Sequence, residues 1–119
     1  MSELAPGEGA DAAAVDLSHA ELLPEVVVEG SPTTALLPLA TLGGTDGHVE
    51  IGIWEMTPGT ATDTEADEVF VVLSGAATIR FISPELPALE VGPGSVVRLT
   101  EGMQTEWTVT ETLRKVYIT

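Results

Sequence analysis

Short apolar runs separated by turn residues occupy the chain from Pro24 onward. They read "EVVVEG", "GHVEIGIWEM", "EVFVVLSG", "AATIRFI", "SVVRLTEG" and "LRKVYIT". Pro-Gly, Ser-Gly, Gly-Pro-Gly and Glu-Gly turns divide them at intervals of about ten residues, which is typical of many short strands. Amphipathic helical periodicity is absent after residue 23. The pattern therefore predicts an all-β sandwich or small barrel.

Residues 1–23 differ from the rest of the chain because they are rich in Ala, Gly, Asp and Glu and poor in β-branched residues. The stretch "DAAAVDLSHAELL" permits a short helix capped by Asp16 or Ser18. A loose tail is the alternative, since such a segment buries little apolar surface. We expect a tail or short helix over 1–23, in which His19 has no role, and one β domain over 24–119.

Composition narrows the functional classes. The 119 residues suffice for one domain, and 44% of them are hydrophobic. Four basic and 19 acidic residues give a net charge of −15, which disfavours binding to nucleic acid or to an anionic membrane surface. A small-molecule partner is then expected to be neutral or cationic. The chain has no cysteine and no secretory signal or membrane-spanning run, so a cytoplasmic location is expected.

Residues in the turns select one β architecture. Glu68 and Gly75, with six residues between them, match the second half of the first cupin motif. Gly94, five further residues and "TEGMQT" match the second motif, with Gly102 kept and Thr100 in place of the usual proline. With "GIWEMTPG", "VGPGSV", "TEW" and "RKVYI" in order, residues 24–119 resemble the small cupins. They look like the small cupins that are related to the (S)-ureidoglycine aminohydrolase cupin domain and to the ethanolamine-utilisation cupin group. This resemblance implies a cupin-type jelly-roll barrel.

The resemblance also shows what the chain lacks. In metal cupins, three histidines and a glutamate bind one ion, and imidazole suits Mn, Fe, Ni or Zn. Here the first two histidine positions fall on Thr62 and Thr64, or on Ala61 and Asp63, and the third falls on Thr105. Only Glu68 is retained, so no metal and no other cofactor are expected.

The acidic stretch "DTEAD" allows a second kind of site. Asp63, Glu65 and Asp67 have the spacing of the first calcium-loop ligands. Glu68 stands where such a loop needs glycine, however, and Ser74 stands where it needs glutamate. A solvated acidic loop is the interpretation that we favour. His48, with no second histidine nearby, is expected to be structural or exposed.

Strand alternation converts the resemblance into a set of inward side chains. If Glu68 faces inward as in the family, so does Phe70, and an inward Thr105 brings Met103 and Trp107 to the same face. Trp54 is expected there as well. Aromatic walls with a few polar groups fit a small-molecule pocket. The alternative is that both tryptophans fill a packed core.

Glu68 is the candidate acid or base. An isolated carboxyl in apolar surroundings has a raised pKa, whereas a cation from the last strand would keep it charged. Lys115 and Arg114 alternate there, and the sequence leaves open which one faces inward. Tyr117 shares the parity of Lys115, so these two complete the candidate ligand-binding set.

Two classes of function therefore stay open. The first is a metal-independent cupin that binds a small organic molecule without turnover. The second is an enzyme, either an isomerase or cyclase acting through Glu68 or a divergent aminohydrolase-like catalyst. A homodimer is expected because an open sheet edge is a hazard for a lone chain, with the apolar stripe of Val49, Ile51 and Ile53 as its contact.

Overall fold

The computed structural model describes residues 3–44 and 48–119. Short β-branched runs form strands as expected. The strands are β1 (Ala20–Glu21), β2 (Val27–Glu29), β3 (Thr33–Leu42), β4 (Val49–Met56), β5 (Gly59–Thr64), β6 (Glu68–Ser83), β7 (Leu89–Val91), β8 (Val96–Leu99) and β9 (Gln104–Ile118). A single 3₁₀ turn at Pro24–Val26 is the only helical element in the described part of the chain. Residues 3–44 and 48–119 therefore contain no helix that could cross a membrane.

All nine described strands join one curled antiparallel sheet. Five pairings follow the path β1-β3-β4-β9-β5-β2, and β6 pairs with β7, β8 and β9. β6, with sixteen residues, and β9, with fifteen, form the longest antiparallel pairing. Shifts in register interrupt this pairing at several points. Such bulges increase local twist and let a long strand bend around a barrel. β9 thus pairs with β4, β5 and β6, and it brings its alternate residues into the interior.

The core lies inside the curl of this sheet. Phe70, Ile79, Leu99 and Leu113 are fully buried, and they belong to one apolar cluster with Trp107. Alternate residues of each long strand supply this cluster, because side chains alternate between the two faces of a strand. The predicted all-β fold and barrel-like architecture are confirmed.

Residues 3–19 form turns and no helix, and they contact β3 and β9. The Leu4 amide donates to the Leu39 carbonyl oxygen (2.7 Å). Arg114 Nη1 donates to the carbonyl oxygens of Ala12 (3.0 Å) and Val15 (2.9 Å). These bonds attach the segment to β3 and β9.

His19, for which no role was expected, takes part in this attachment. Its Nε2 lies 2.6 Å from Glu55 Oε2, and Arg114 Nε donates to Glu55 Oε1 at 2.8 Å. Burial opposes ionisation of Glu55, but the hydrogen bonds from Arg114 and His19 outweigh it and hold its pKa below the ordinary value. Ile53, on the same face of β4 as Glu55, is fully buried within the monomer. It is therefore not free for the dimer contact expected from the sequence.

Candidate functional site

A cavity of about 480 Å³ opens into the interior of the curled sheet. Apolar residues form part of its wall, including Leu22, Val26, Leu36, Trp54, Met56 and Trp107. The polar part contains Glu50, Asp63, Glu65, Glu68, Lys115 and Tyr117. β4, β5 and β9 supply most of these residues. Apolar walls with a small number of convergent polar groups are typical of small-molecule sites.

A buried ion pair stands in the cavity wall. Lys115 Nζ donates to Glu68 Oε2 at 2.8 Å, and the two side chains are only 6% and 14% exposed. The ammonium also lies near the ring centroids of Phe70 (4.2 Å), Trp54 (4.7 Å) and Trp107 (4.9 Å). Aromatic faces attract cations at these distances. Lys115 is thus held by one carboxylate and three aromatic rings.

Glu65 is a second buried carboxylate beside this pair, with only 7% of its surface exposed. Its Oε2 accepts hydrogen bonds from Thr105 Oγ1 (2.6 Å) and Trp107 Nε1 (3.0 Å). Its backbone pairs with Met103 and Gly102, which fixes the turn between β5 and β6. Bonds from two side-chain donors offset the cost of burying a charge. Both hydrogen bonds end on Oε2 of Glu65.

Asp63 lies at the rim, at the end of β5 and opposite Thr105 on β9. Desolvation of the carboxyl beside the cavity wall raises its pKa to about 6, although the residue as a whole is exposed, and the negative charge of Glu65 adds to the increase. The Thr64 backbone amide and the charge of Lys115 act in the opposite direction, and Glu68 contributes a smaller increase. Asp63 is therefore mostly ionised at pH 7 and largely protonated at pH 5.

Glu50 and Tyr117 form a third polar group in the cavity. Tyr117 donates its hydroxyl to Glu50 Oε2 at 2.6 Å. Burial, together with the hydrogen bond and the charge of Glu50, raises the pKa of Tyr117. The phenol accordingly stays protonated and acts as a donor. It also fills the space beside Gly52, where an added methyl group would collide with the phenol oxygen.

The structure divides the residues predicted from the sequence into two sets. Trp54, Glu68, Trp107, Lys115 and Tyr117 line the cavity. The remaining three lie behind its wall and do not line it: Phe70 is fully buried beneath Lys115, Thr105 binds Glu65, and Met103 packs against the core. In β9, Lys115 faces inward, and Arg114 faces outward toward Glu55.

Three acidic residues of the cavity wall were not among the predicted site residues: Glu50, Asp63 and Glu65. Glu50 shares the parity of Trp54 on β4, so alternation could have identified it. The expectation of a solvated acidic loop holds for Asp63 and Asp67, which are exposed, but it is wrong for Glu65, which is buried. Asp67 pairs with Arg98 at 2.7 Å. Glu65 lies in the turn between β5 and β6, where alternation gives no signal for its orientation.

The donor set does not fit the transition metal that metal cupins bind. No imidazole stands at the histidine positions, which fall on Thr62 and Thr64 or on Ala61 and Asp63, and on Thr105. Thr105 already donates to Glu65. Glu68 is paired with the Lys115 ammonium, which would repel a metal ion. No group of three His, Cys, Asp or Glu residues suited to a metal occurs within 3–44 and 48–119. We therefore assign no metal chemistry to this site.

Comparisons with solved structures support the architecture. A protein of unknown function from Pseudomonas syringae pv. tomato is 22% identical with a TM-score of 0.73, over 91% of this chain and 45% of that protein. The Clostridium difficile EutQ protein is 20% identical with a TM-score of 0.61, over 73% of this chain and 67% of EutQ. A Salmonella typhimurium protein assigned to ethanolamine utilization is 17% identical with a TM-score of 0.59, over 88% and 95% of the two chains. The chain thus spans less than half of the Pseudomonas protein and about two thirds of Clostridium EutQ.

At these identities the structural similarity shows the fold alone. None of the curated proteins compared with the chain matches it significantly. The family assignment comes from the sequence profile of the EutQ-like cupin domain, which matches residues 43–117. That match includes the ion pair and both tryptophans of the cavity wall. The chain belongs to the EutQ-like cupin domain family.

Proposed function

We propose that this chain binds a small organic molecule in its cavity and that it does so without a transition metal. The observation that carries the proposal is the cavity of about 480 Å³ between the two tryptophans and the polar groups of β5 and β9. Its volume lies within the roughly 300–1,000 Å³ that is usual for ligand sites. A structural barrel without a ligand would gain stability by filling this space.

The two tryptophans have different surroundings. Trp107 is 3% exposed and contacts Phe70, with 5.5 Å between ring centroids, so it is both core and cavity wall. Trp54 is only half-buried, and its ring centroid lies 5.6 Å from that of Trp107. Of the two tryptophans, Trp54 is therefore the one that is accessible from the cavity. Trp54 supplies a flat apolar surface on which an organic ligand can lie.

The Glu68–Lys115 pair favours binding over turnover. Glu68 Oε2 is engaged by Lys115 Nζ, and three rings enclose the ammonium. An isomerase or cyclase that acts through Glu68 would have to use the other oxygen or break this pair. The absence of histidine from the motif positions likewise argues against a hydrolase of the ureidoglycine aminohydrolase kind.

A ligand-observed NMR screen of small organic fragments tests the proposal. The wild type should bind a subset of the fragments, and Thr64→Phe should lose them, because Thr64 is an exposed residue that lines the cavity. Thr110→Phe is the matched control, since Thr110 is an exposed β9 residue that does not line the cavity. It should bind the same fragments as the wild type.

Thermal unfolding of each variant shows whether a loss of binding reflects a loss of folding. The proposal is contradicted if no fragment binds the wild type, or if the fragments bind equally well to Thr64→Phe. A stoichiometric transition metal in the purified protein, released by Glu68→Gln, would contradict its metal-independent part.

A further inference from the structure

The polar groups of the cavity are electrically unbalanced. Four carboxylates line it (Glu50, Asp63, Glu65 and Glu68), against one cation, Lys115. Lys115 offsets Glu68, which leaves an excess of three negative charges when all four acids are ionised. Neutral donors partly satisfy two of these: the Tyr117 hydroxyl bonds Glu50, and the Trp107 indole bonds Glu65. The excess charge is therefore hydrogen-bonded, but it is not neutralised.

One oxygen of Glu65 is available to a ligand. Both side-chain hydrogen bonds to Glu65 end on Oε2. Every buried polar side-chain atom in the described part of the chain has a hydrogen-bond partner. Oε1 of Glu65 has none, so it must retain some accessible surface, although only 7% of the residue is exposed. Glu65 lines the cavity beside Asp63. Glu65 Oε1 is thus a carboxylate oxygen free to accept a hydrogen bond, on a nearly buried side chain that lines the cavity.

The aromatic rings are not available to a second cation. Lys115 Nζ already lies within 5 Å of the centroids of Trp54, Phe70 and Trp107. A quaternary ammonium ligand, which depends on aromatic faces, would compete with Lys115 for them. A ligand cation must instead be recognised by carboxylate oxygens, and these require N–H donors.

On the basis of the function proposed above, we infer that the cavity selects a small protonated amine whose N–H groups bond Glu65 and Asp63 and whose apolar part lies on Trp54. Neutral molecules would leave the excess charge unpaired, and anions would be repelled by it. The charged groups that act on Asp63 are Glu65, Glu68 and Lys115. Since Asp63 has a pKa of about 6, a neighbouring amine should bind less tightly at pH 5 than at pH 7.5.

Three probes of equal length test this selectivity: butylammonium, 1-butanol and butyrate. Intrinsic fluorescence is a direct measurement, because both tryptophans of the chain line the cavity. Butylammonium should bind about tenfold more tightly than butanol at pH 7.5, the ratio expected for a hydrogen bond to a charged group. Butyrate should bind more weakly than both. Tetramethylammonium, which is a cation without N–H donors, should not bind more tightly than butanol.

Asp63→Asn and Asp67→Asn remove the same charge at two places. Asp63→Asn should weaken butylammonium binding severalfold, leave butanol binding unchanged and abolish the decrease between pH 7.5 and 5. Asp67→Asn is the control for the overall negative charge, because Asp67 is exposed and does not line the cavity; its butylammonium affinity should match the wild type. Butanol binding as tightly as butylammonium, or equal losses in both variants, would overturn this inference and leave the proposed function intact. Failure of every probe and every fragment to bind would overturn both.

Discussion

At the scale of single residues, Lys115 and Glu68 show how charge is accommodated inside an apolar barrel. Lys115 is 5% exposed, and its ammonium is matched by one carboxylate and three aromatic rings. Taking both charges out of water has a large cost, which the pair recovers only through close geometry. Removing one partner leaves the other buried without compensation.

A double-mutant cycle measures this dependence. Glu68→Gln and Lys115→Met should each destabilise the fold by about 3–5 kcal/mol near neutral pH. The double variant should cost less than the sum by about 2 kcal/mol, because neither charge is then left unpaired. Urea unfolding at pH 7 gives the four free energies of unfolding.

The Arg80–Glu106 pair is the matched control for this cycle. It also joins two strands at short range (3.1 Å), but Arg80 is 58% exposed. Exposed pairs are weakened by solvent and salt, so its coupling should be much smaller than that of Glu68 and Lys115. Equal coupling in the two cycles would show that burial does not strengthen the Glu68–Lys115 interaction.

The residue scale also shows what alternation can and cannot predict. Parity put Lys115 and Tyr117 on one face of the last strand but left open whether that face is the inner one, which the structure shows it to be, since both line the cavity with Trp107. The same parity could not separate the lining residues from Thr105, which lies behind the wall. Glu65 escaped prediction because it sits in the turn between β5 and β6, where alternation does not apply. Its partners are 40 and 42 residues away in sequence.

At the scale of elements, the long β6–β9 ladder depends on a glycine. Gly75 has φ of +91°, and a Cβ at this position would overlap the backbone of Thr112 and Leu113. It lies among the register shifts where β6 bends. Glycine is therefore required at Gly75 for two reasons, the backbone conformation and the close approach of β9. The motif residue that supported the sequence resemblance thus has a structural role.

Gly94 separates these two reasons. Its φ of +90° is nearly the same, but nothing lies within 4 Å of the position that a methyl group would take there. Gly94→Ala should cost about 1–2 kcal/mol from backbone strain alone. Gly75→Ala should cost about 1–3 kcal/mol more, because β9 must also move. Chemical denaturation of the two variants measures the difference, and equal losses would mean that the contact with β9 is unimportant.

The N-terminal segment is the element for which local sequence was least informative. Its composition permitted a helix or a tail, and its hydrogen bonds to Arg114 span 99 and 102 residues. Such distant partners leave no periodic signal in the sequence. The strands, in contrast, are marked by alternation and turn residues within a few positions, so the all-β fold could be predicted.

At the scale of the whole molecule, the surface outside the cavity carries several exposed apolar side chains. Val96 on β8 is 66% exposed, Val28 on β2 is 57% exposed and Leu42 on β3 is 50% exposed. β8 pairs with β6 alone among the described strands. An apolar strand with an unpaired side favours association. Since Ile53 is buried within the monomer, we predict that Val96 and the open side of β8 form the contact in place of the stripe expected from the sequence.

A homodimer remains our prediction for the assembly. Sedimentation equilibrium at tens of micromolar should give about twice the monomer mass of 12.4 kDa. Val96→Glu, which places a charge at the open side of β8, should shift the protein toward monomer if that edge is the contact. A wild type that sediments as a monomer at these concentrations would refute the prediction.

Native mass spectrometry can detect whether this cupin barrel recognises an organic molecule through its own side chains. The protein is incubated separately with butylammonium and with Mn, Fe, Ni and Zn salts, and each sample is exchanged into volatile buffer. We predict one amine per chain in the wild type, none in Thr64→Phe, and no stoichiometric metal in either. One equivalent of metal retained by the wild type and lost on Glu68→Gln, with no amine bound, would contradict the account.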